Sequence, residues 1–182
     1  MSPSIDVDAY RSNFTGGAKA YLFYYKPVFP GGVDGDTEQA TYLVRATTLP
    51  ETAIEEITTN WQGFDYRFAG KYTYQDWNVT FNCDAKAYIH QSFNDWMRLI
   101  HDPTSNTYNS PAVYMNDQEL DLLGTDGLSV EKYKLYGAWP KNIGPITLDY
   151  SQNDVIQFDV TFSYIYHVCS RVNYNVSPSF AG

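Results

Sequence analysis

Residues 155–166 alternate with a period of two, and no other feature restricts the fold of this chain as much. Even positions hold Ile156, Phe158, Val160, Phe162, Tyr164 and Tyr166, while Gln157, Asp159, Thr161 and Ser163 fill the odd positions between them. Successive side chains of a β-strand point to opposite faces, so this run predicts a half-buried antiparallel strand with one aromatic face and one wet face. Trp77, Val79 and Phe81 alternate with Asn78 and Thr80, and Phe64, Tyr66 and Phe68 alternate with Asp65 and Arg67. Shorter candidate strands cover residues 20–26, 39–46, 129–136 and 145–150. A chain of many short strands is expected to form an antiparallel β-sandwich or barrel.

One segment breaks the period. Ile89, Phe93, Trp96, Met97 and Ile100 recur at helical spacing and predict one α-helix, with Asp84 as its N-cap and Pro103 beyond its end. A stripe with rings this large is expected to lie flat on the sheet as the core helix of a mainly β, α+β subunit. Three stretches read as irregular: residues 27–37, rich in Pro and Gly, a long segment at 102–127, and the polar tail 170–182. At 182 residues the chain is expected to be one domain.

Composition narrows the function. With 12 Lys and Arg against 21 Asp and Glu, the net charge of −9 excludes an ordinary nucleic-acid binder, which needs clustered cations. The longest apolar run, residues 20–25, is far too short to span a bilayer as a helix. Residues 1–6 contain neither a basic nor an apolar signal region, so no export is expected and Cys83 and Cys169 read as two thiols.

Candidate chemistry is sparse. His90 and His101 are expected three turns apart on the helix, too far to share an ion, and His167 closes the last strand. The carboxylate groups Glu55 and Glu56, then Asp117, Glu119 and Asp121, then Asp149 and Asp154, read as solvated charge rather than as glycosidase pairs. No nucleophile elbow, phosphate loop or dinucleotide fingerprint occurs. The expectation is no enzyme, no cofactor and no metal. Seventeen tyrosines exceed what one small core buries with every hydroxyl satisfied, and the excess reads as interface surface. Sugar stacking by a monomeric β-sandwich is the rival reading.

Five landmarks in order resemble the tail tube proteins of contractile-tailed bacteriophages. They are Arg45-Ala46-Thr47-Thr48-Leu49-Pro50; Ala69-Gly70 leading to Asp76-Trp77-Asn78-Val79-Thr80; Phe93-Asn94-Asp95-Trp96 on the helix; Gly137-Ala138-Trp139-Pro140-Lys141-Asn142-Ile143-Gly144; and Phe158-Asp159-Val160-Thr161-Phe162. The resemblance implies a barrel-like subunit with a flanking helix. Hexameric rings of it would close a continuous inner β-barrel and stack into a tube through which double-stranded DNA passes without specific binding. Its implied partners are its own copies, the tail sheath protein, and baseplate and tail terminator proteins. Its implied place is the virion tail, assembled in the host cytoplasm. A tube initiator or terminator, or a type VI-like injection tube subunit, shares the same pattern.

On this reading Asn78, Thr80, Gln157, Asp159, Thr161 and Ser163 are the candidate lumen-facing residues. The stretch 48–74 would be a loop reaching the neighbouring ring, with Leu49, Pro50, Ile54, Glu55, Ile57, Trp61, Phe64 and Tyr66 as its contacts, and the N-terminal arm would touch neighbours too. The Ala138-Trp139-Pro140 run is expected to turn and to bury the Trp139 indole.

Overall fold

The alternating run folds as strand β10 (Gln157–Ser163), with Phe158, Val160 and Phe162 buried and Asp159 exposed. The structure is a computed structural model that describes residues 18–151 and 153–172. The N-terminal arm and the tail beyond Val172 lie outside the described residues. In chain order the elements are β1 (Phe23–Lys26), α1 (Thr37–Leu43), β2 (Val44–Thr47), β3 (Thr52–Trp61), β4 (Phe64–Tyr74), β5 (Trp77–Asn82) and α2 (Tyr88–Ile100). They continue with β6 (His101–Asp102), β7 (Thr107–Tyr108), α3 (Pro111–Tyr114), β8 (Asn116–Leu123), β9 (Ser129–Ile143), β10 and β11 (Tyr166–Arg171).

Seven strands form one antiparallel sheet in the order β1-β8-β9-β10-β5-β2, with β11 added to β9. Strand β9 joins its two halves. Residues 129–138 pair with β8 and residues 131–136 with β11, whereas 139–143 pair with β10. Gly137, at φ +62°, interrupts the extended backbone where the pairing changes over, and its N–H donates to Asp117 Oδ1. A Cβ there would stand 2.7 Å from the Ile165 Cδ1, so any other residue would carry backbone strain and have to push that methyl aside. The halves face one another, with Tyr25 of β1 edge-on to Trp77 of β5 at 4.8 Å.

Helix α2 packs against this core through Ile89, Phe93 and Trp96, all fully buried. Phe93 lies 5.0–6.3 Å from Phe81, Phe158, Phe162 and Trp96, a cluster in tilted, stacked and edge-on geometries. Each ring removed from water there stabilises the fold by about 2–3 kcal/mol. The Trp96 indole N–H donates to Tyr114 O, tying α2 to α3.

Several expectations are corrected. The helix is not capped by Asp84: Ala87 occupies the cap at φ +51° without a side-chain bond, and Asp84 shapes the preceding turn by accepting from Lys86 N. Met97 lies on the helix shoulder, half-buried, and Ser92 takes a buried place instead, its hydroxyl donating to Tyr88 O and Asp34 O. His101 is extended, just past the helix. The first part of 39–46 is helical because Asp36 accepts from Glu38 N and Gln39 N and starts α1. Residues 145–150 form no strand, and 102–127 is largely structured, containing β6, β7, α3 and β8. Ala138, Trp139 and Pro140 are strand rather than turn. Trp139 is only half-buried, edge-on to Tyr114. Strand β11 carries regular structure to Arg171, into the stretch expected to be an irregular tail. The barrel is also open: β1 and β2, the ends of the sheet, each keep one unpaired edge among the described residues.

Candidate assembly surfaces

The half sheet β9-β10-β5-β2 is dry on the face toward α2 and wet on the other. Register places Asp159 opposite Thr80 and Thr161 opposite Asn78. The hydroxyls bridge the strands: Thr80 Oγ1 donates to Asp159 Oδ1 and Thr161 Oγ1 to Asn78 Oδ1, each at 2.6 Å. These four residues therefore form one hydrogen-bonded polar surface. Asn142, paired with Thr161, and Ala46, paired with Thr80, extend it on either side. Neither was found from the sequence, because cross-strand register is not written in local spacing. Gln157 and Ser163 stand at opposite ends of β10, paired with Asn82 and Trp139, and both are half-buried.

Residues 48–74 are not a loop. β3 and β4 form a hairpin whose strands pair only with each other among the described residues. Gln62 (φ +51°) and Gly63 (φ +86°) make its two-residue turn, the mirror-image geometry that suits the right-handed twist of paired strands. Near the root the register shifts, because two residues of β4, Gly70 and Lys71, lie between Ala69 and Tyr72 where β3 has only Glu55 between Ile54 and Glu56. Gly70 sits at that bulge, where a Cβ would come within 2.9 Å of Glu55 O.

The arm has two distinct faces toward its tip. One holds the cross-strand pairs Ile57–Phe68, Thr59–Tyr66 and Trp61–Phe64. The other holds Glu56, Arg67, Asn60 and Asp65, joined by an Arg67 Nε–Glu56 Oε1 pair at 3.5 Å and an Asn60 Nδ2 donation to Asp65 Oδ1. Ile57, Trp61, Phe64, Tyr66 and Phe68 are all more than half exposed, Phe64 at 72 %. A contiguous exposed apolar patch of this kind marks an interaction surface. Of the candidate contact residues, Leu49, Ile54 and Glu55 are exposed near the root, and Pro50 is buried.

The titratable groups are scattered. His90 packs edge-on to Phe158, His101 lies against Tyr108, and His167 lies among Tyr74, Tyr133 and Tyr164. Asp117, Glu119 and Asp121 are ion-paired across the strands with Lys132 and Lys134. Among the described residues no group of three His, Cys, Asp or Glu side chains is placed to hold a metal ion. Cys83 and Cys169 are free thiols.

Residues 25–170 match a family model described as phage tail tube protein. The chain is 31% identical over 129 residues to tail tube protein gp19 of Enterobacteria phage T4, an alignment covering 69% of this chain and 79% of that protein. It is 29% identical over 147 residues to the tail tube protein of Serratia phage KSP90, covering 80% and 82% respectively. Two solved structures share its fold. One is a chain of the sheath-tube complex of an extracellular contractile injection system in the extended state, with TM-score 0.65, 14% identity, and 88% of this chain and 97% of that chain covered. The other belongs to the six-fold symmetrised baseplate of the anti-feeding prophage, with TM-score 0.65, 13% identity, and coverage of 87% and 98%.

Proposed function

The chain belongs to the phage tail tube protein family, and from that premise we propose that six copies close into a ring and that the rings stack as the inner tube of a contractile tail. The observation that carries this reading is the open half sheet. Among the described residues its β2 edge and the outer edge of residues 139–143 pair with no other strand, and its other face is polar. Exposed strand edges are aggregation hazards unless something pairs them. Pairing one copy's β2 edge with the next copy's β9 edge removes both edges and continues the sheet around the ring. The dry face with its helix then turns outward, and Asn78, Thr80, Asp159 and Thr161 line the bore.

A bore of hydroxyls, amides and a carboxylate suits DNA that must pass without sticking, since phosphate binding needs cations. The protein works as a structural part of the virion rather than as a catalyst. The sheath surrounds the tube, the baseplate and a terminator bound its two ends, and assembly takes place in the host cytoplasm.

Cryo-electron microscopy of the purified protein at high concentration tests the reading. Hollow six-fold tubes with the Asn78–Thr161 surface inward are expected. A persistent monomer, or a ring with this surface packed against protein, would overturn it.

A further inference from the structure

Strand β11 lies along the outer edge of β9 and covers residues 131–136. Every residue of β11 is exposed except His167, which is half-buried. Besides the backbone ladder, the strand is held by a Tyr166–Tyr136 stack at 4.6 Å, an Arg171 Nε–Glu131 Oε1 pair at 3.6 Å and the His167 ring.

His167 sits where three other segments meet. Its ring lies 5.3 Å from Tyr74 of β4, 5.7 Å from Tyr164 in the β10–β11 connection and 6.1 Å from Tyr133 of β9. Tyr74 is the last residue of the hairpin, so the cluster ties β11 to the root of the arm. His167 Nδ1 and Tyr164 OH are buried without a hydrogen-bond partner among the described residues. Charged groups stand behind the tyrosines. Glu131 accepts from Tyr133 OH at 3.1 Å and pairs with Arg171, while Asp76 and Glu51 act on Tyr164. Asp76 is taken by Lys141 at 2.7 Å, and the Cys169 thiol bonds with Tyr133.

We propose that His167 is an acid-operated clasp: neutral, it pins β11 to the hairpin root, and protonated, it lets β11 peel from β9. The inference goes beyond the tube reading and holds for a single chain. The imidazolium carries an N–H on both ring nitrogens, and the one on Nδ1 would be buried without an acceptor. No carboxylate pairs with the ring among the described residues.

Burial accordingly lowers the His167 pKa. In a released strand the ring returns to an ordinary value near ~6.5, so the clasp holds fully above that pH and weakens as the pH falls below it. Burial pushes the Tyr164 hydroxyl up to about 12, with Tyr74, Asp76 and Glu51 adding to the shift, so this tyrosine stays neutral throughout. Release uncovers the β9 backbone at 131–136 and removes the ring against which Tyr74 packs. The Lys141–Asp76 pair and the Trp77 indole donation to Thr48 O at 2.7 Å do not involve His167 and keep the root attached.

Hydrogen exchange of the full chain, read by mass spectrometry at about pH 7.5 and about pH 5 and corrected for the chemical exchange rate, tests the clasp. In the wild type, amides of residues 166–171 should lose protection several-fold at the lower pH, and lose more than those of α2. In His167→Phe the same amides should be equally protected at both pH values. Protection of β11 that ignores pH, a fall shared equally by α2, or the same fall in His167→Phe would overturn the clasp.

A second measurement needs no variant. NMR titration of the His167 ring, identified by its cross-peaks to Tyr74 and Tyr164, should give a midpoint below ~6.5. A midpoint at or above that value would mean that the rings stabilise the cation, and the clasp fails. Neither readout requires stacked rings, so failure of the tube reading is not mistaken for failure of the clasp.

Discussion

Gln118 holds the first strand in place from inside the core. Its Oε1 accepts from Tyr25 OH at 2.8 Å and Val28 N at 3.0 Å, and its Nε2 donates to Val28 O at 2.8 Å. The fully buried amide thus satisfies both backbone groups of Val28 and the hydroxyl of a buried tyrosine whose pKa burial pushes well up. Gln118→Leu keeps the volume, strands Tyr25 OH and Val28 N, and leaves Val28 O only a long bond from Asn116 Nδ2 at 3.4 Å. The expected loss is roughly 2–4 kcal/mol, read from the midpoint of urea unfolding. His167 supports a second prediction. Burial among Tyr74, Tyr133 and Tyr164 pushes its pKa below the ordinary value, and its Nδ1 is buried without a partner among the described residues. The fold therefore prefers the neutral ring, whereas the unfolded chain takes up a proton near pH ~6.5. Stability from this group is present above that pH and is lost as the pH falls through it. Going from about pH 8 to about pH 5 should lower the melting temperature of the wild type more than that of His167→Phe. Equal slopes for the two proteins would show that the histidine does not contribute.

At the scale of elements, the helix and the hairpin behave oppositely. Helix α2 was legible because Ile89, Phe93 and Trp96 bury one stripe, which writes a helical period into the sequence. Phe93→Ala or Trp96→Ala should cost about 3–5 kcal/mol in unfolding, as truncations of fully buried rings do. Trp139→Ala, at a half-buried site, should cost less. Strand β3 was not legible because both its faces meet solvent in the monomer, so burial imposes no alternation on it. Trp61 and Phe64 at the tip of the arm are exposed and lie outside the core. Trp61→Ser with Phe64→Ser should leave monomer stability within about 0.5 kcal/mol while abolishing stacking in electron micrographs. A large drop in melting temperature would mean that the arm packs on its own body. Strand β8 was hidden for another reason. Gln118 occupies a core position where an apolar residue would have completed the Leu120–Leu122 alternation, and the intervening Asp117, Glu119 and Asp121 read as an acidic run rather than as the wet face of a strand.

For the whole molecule, the net charge of −9 and the proposed place of Asp159 on the bore predict how a charge reversal would act. Asp159→Lys removes the carboxylate from the Thr80 bond and places a cation on the wet face of the half sheet. Tubes should form at normal diameter, and DNA release from phage carrying the variant should slow, most at low ionic strength, where phosphate attraction is least screened. Unchanged release kinetics would place Asp159 outside the bore. What the sequence by itself determined were the elements whose burial imposes a period: the two-faced β5 and β10, the apolar stripe of α2, and the order of landmarks that marked the family. Tertiary structure alone decided what depends on contacts distant in sequence. Those are the register that brings Asn78, Thr80, Asp159 and Thr161 onto one surface, the changeover at Gly137, and, among the described residues, the open edges of β1 and β2. It also decided that residues 52–74 form a hairpin leaving one end of the half sheet. The physical reason is that a period records only which side of an element is dry, whereas pairing partners and chain ends are set by backbone hydrogen bonds that leave no mark on composition.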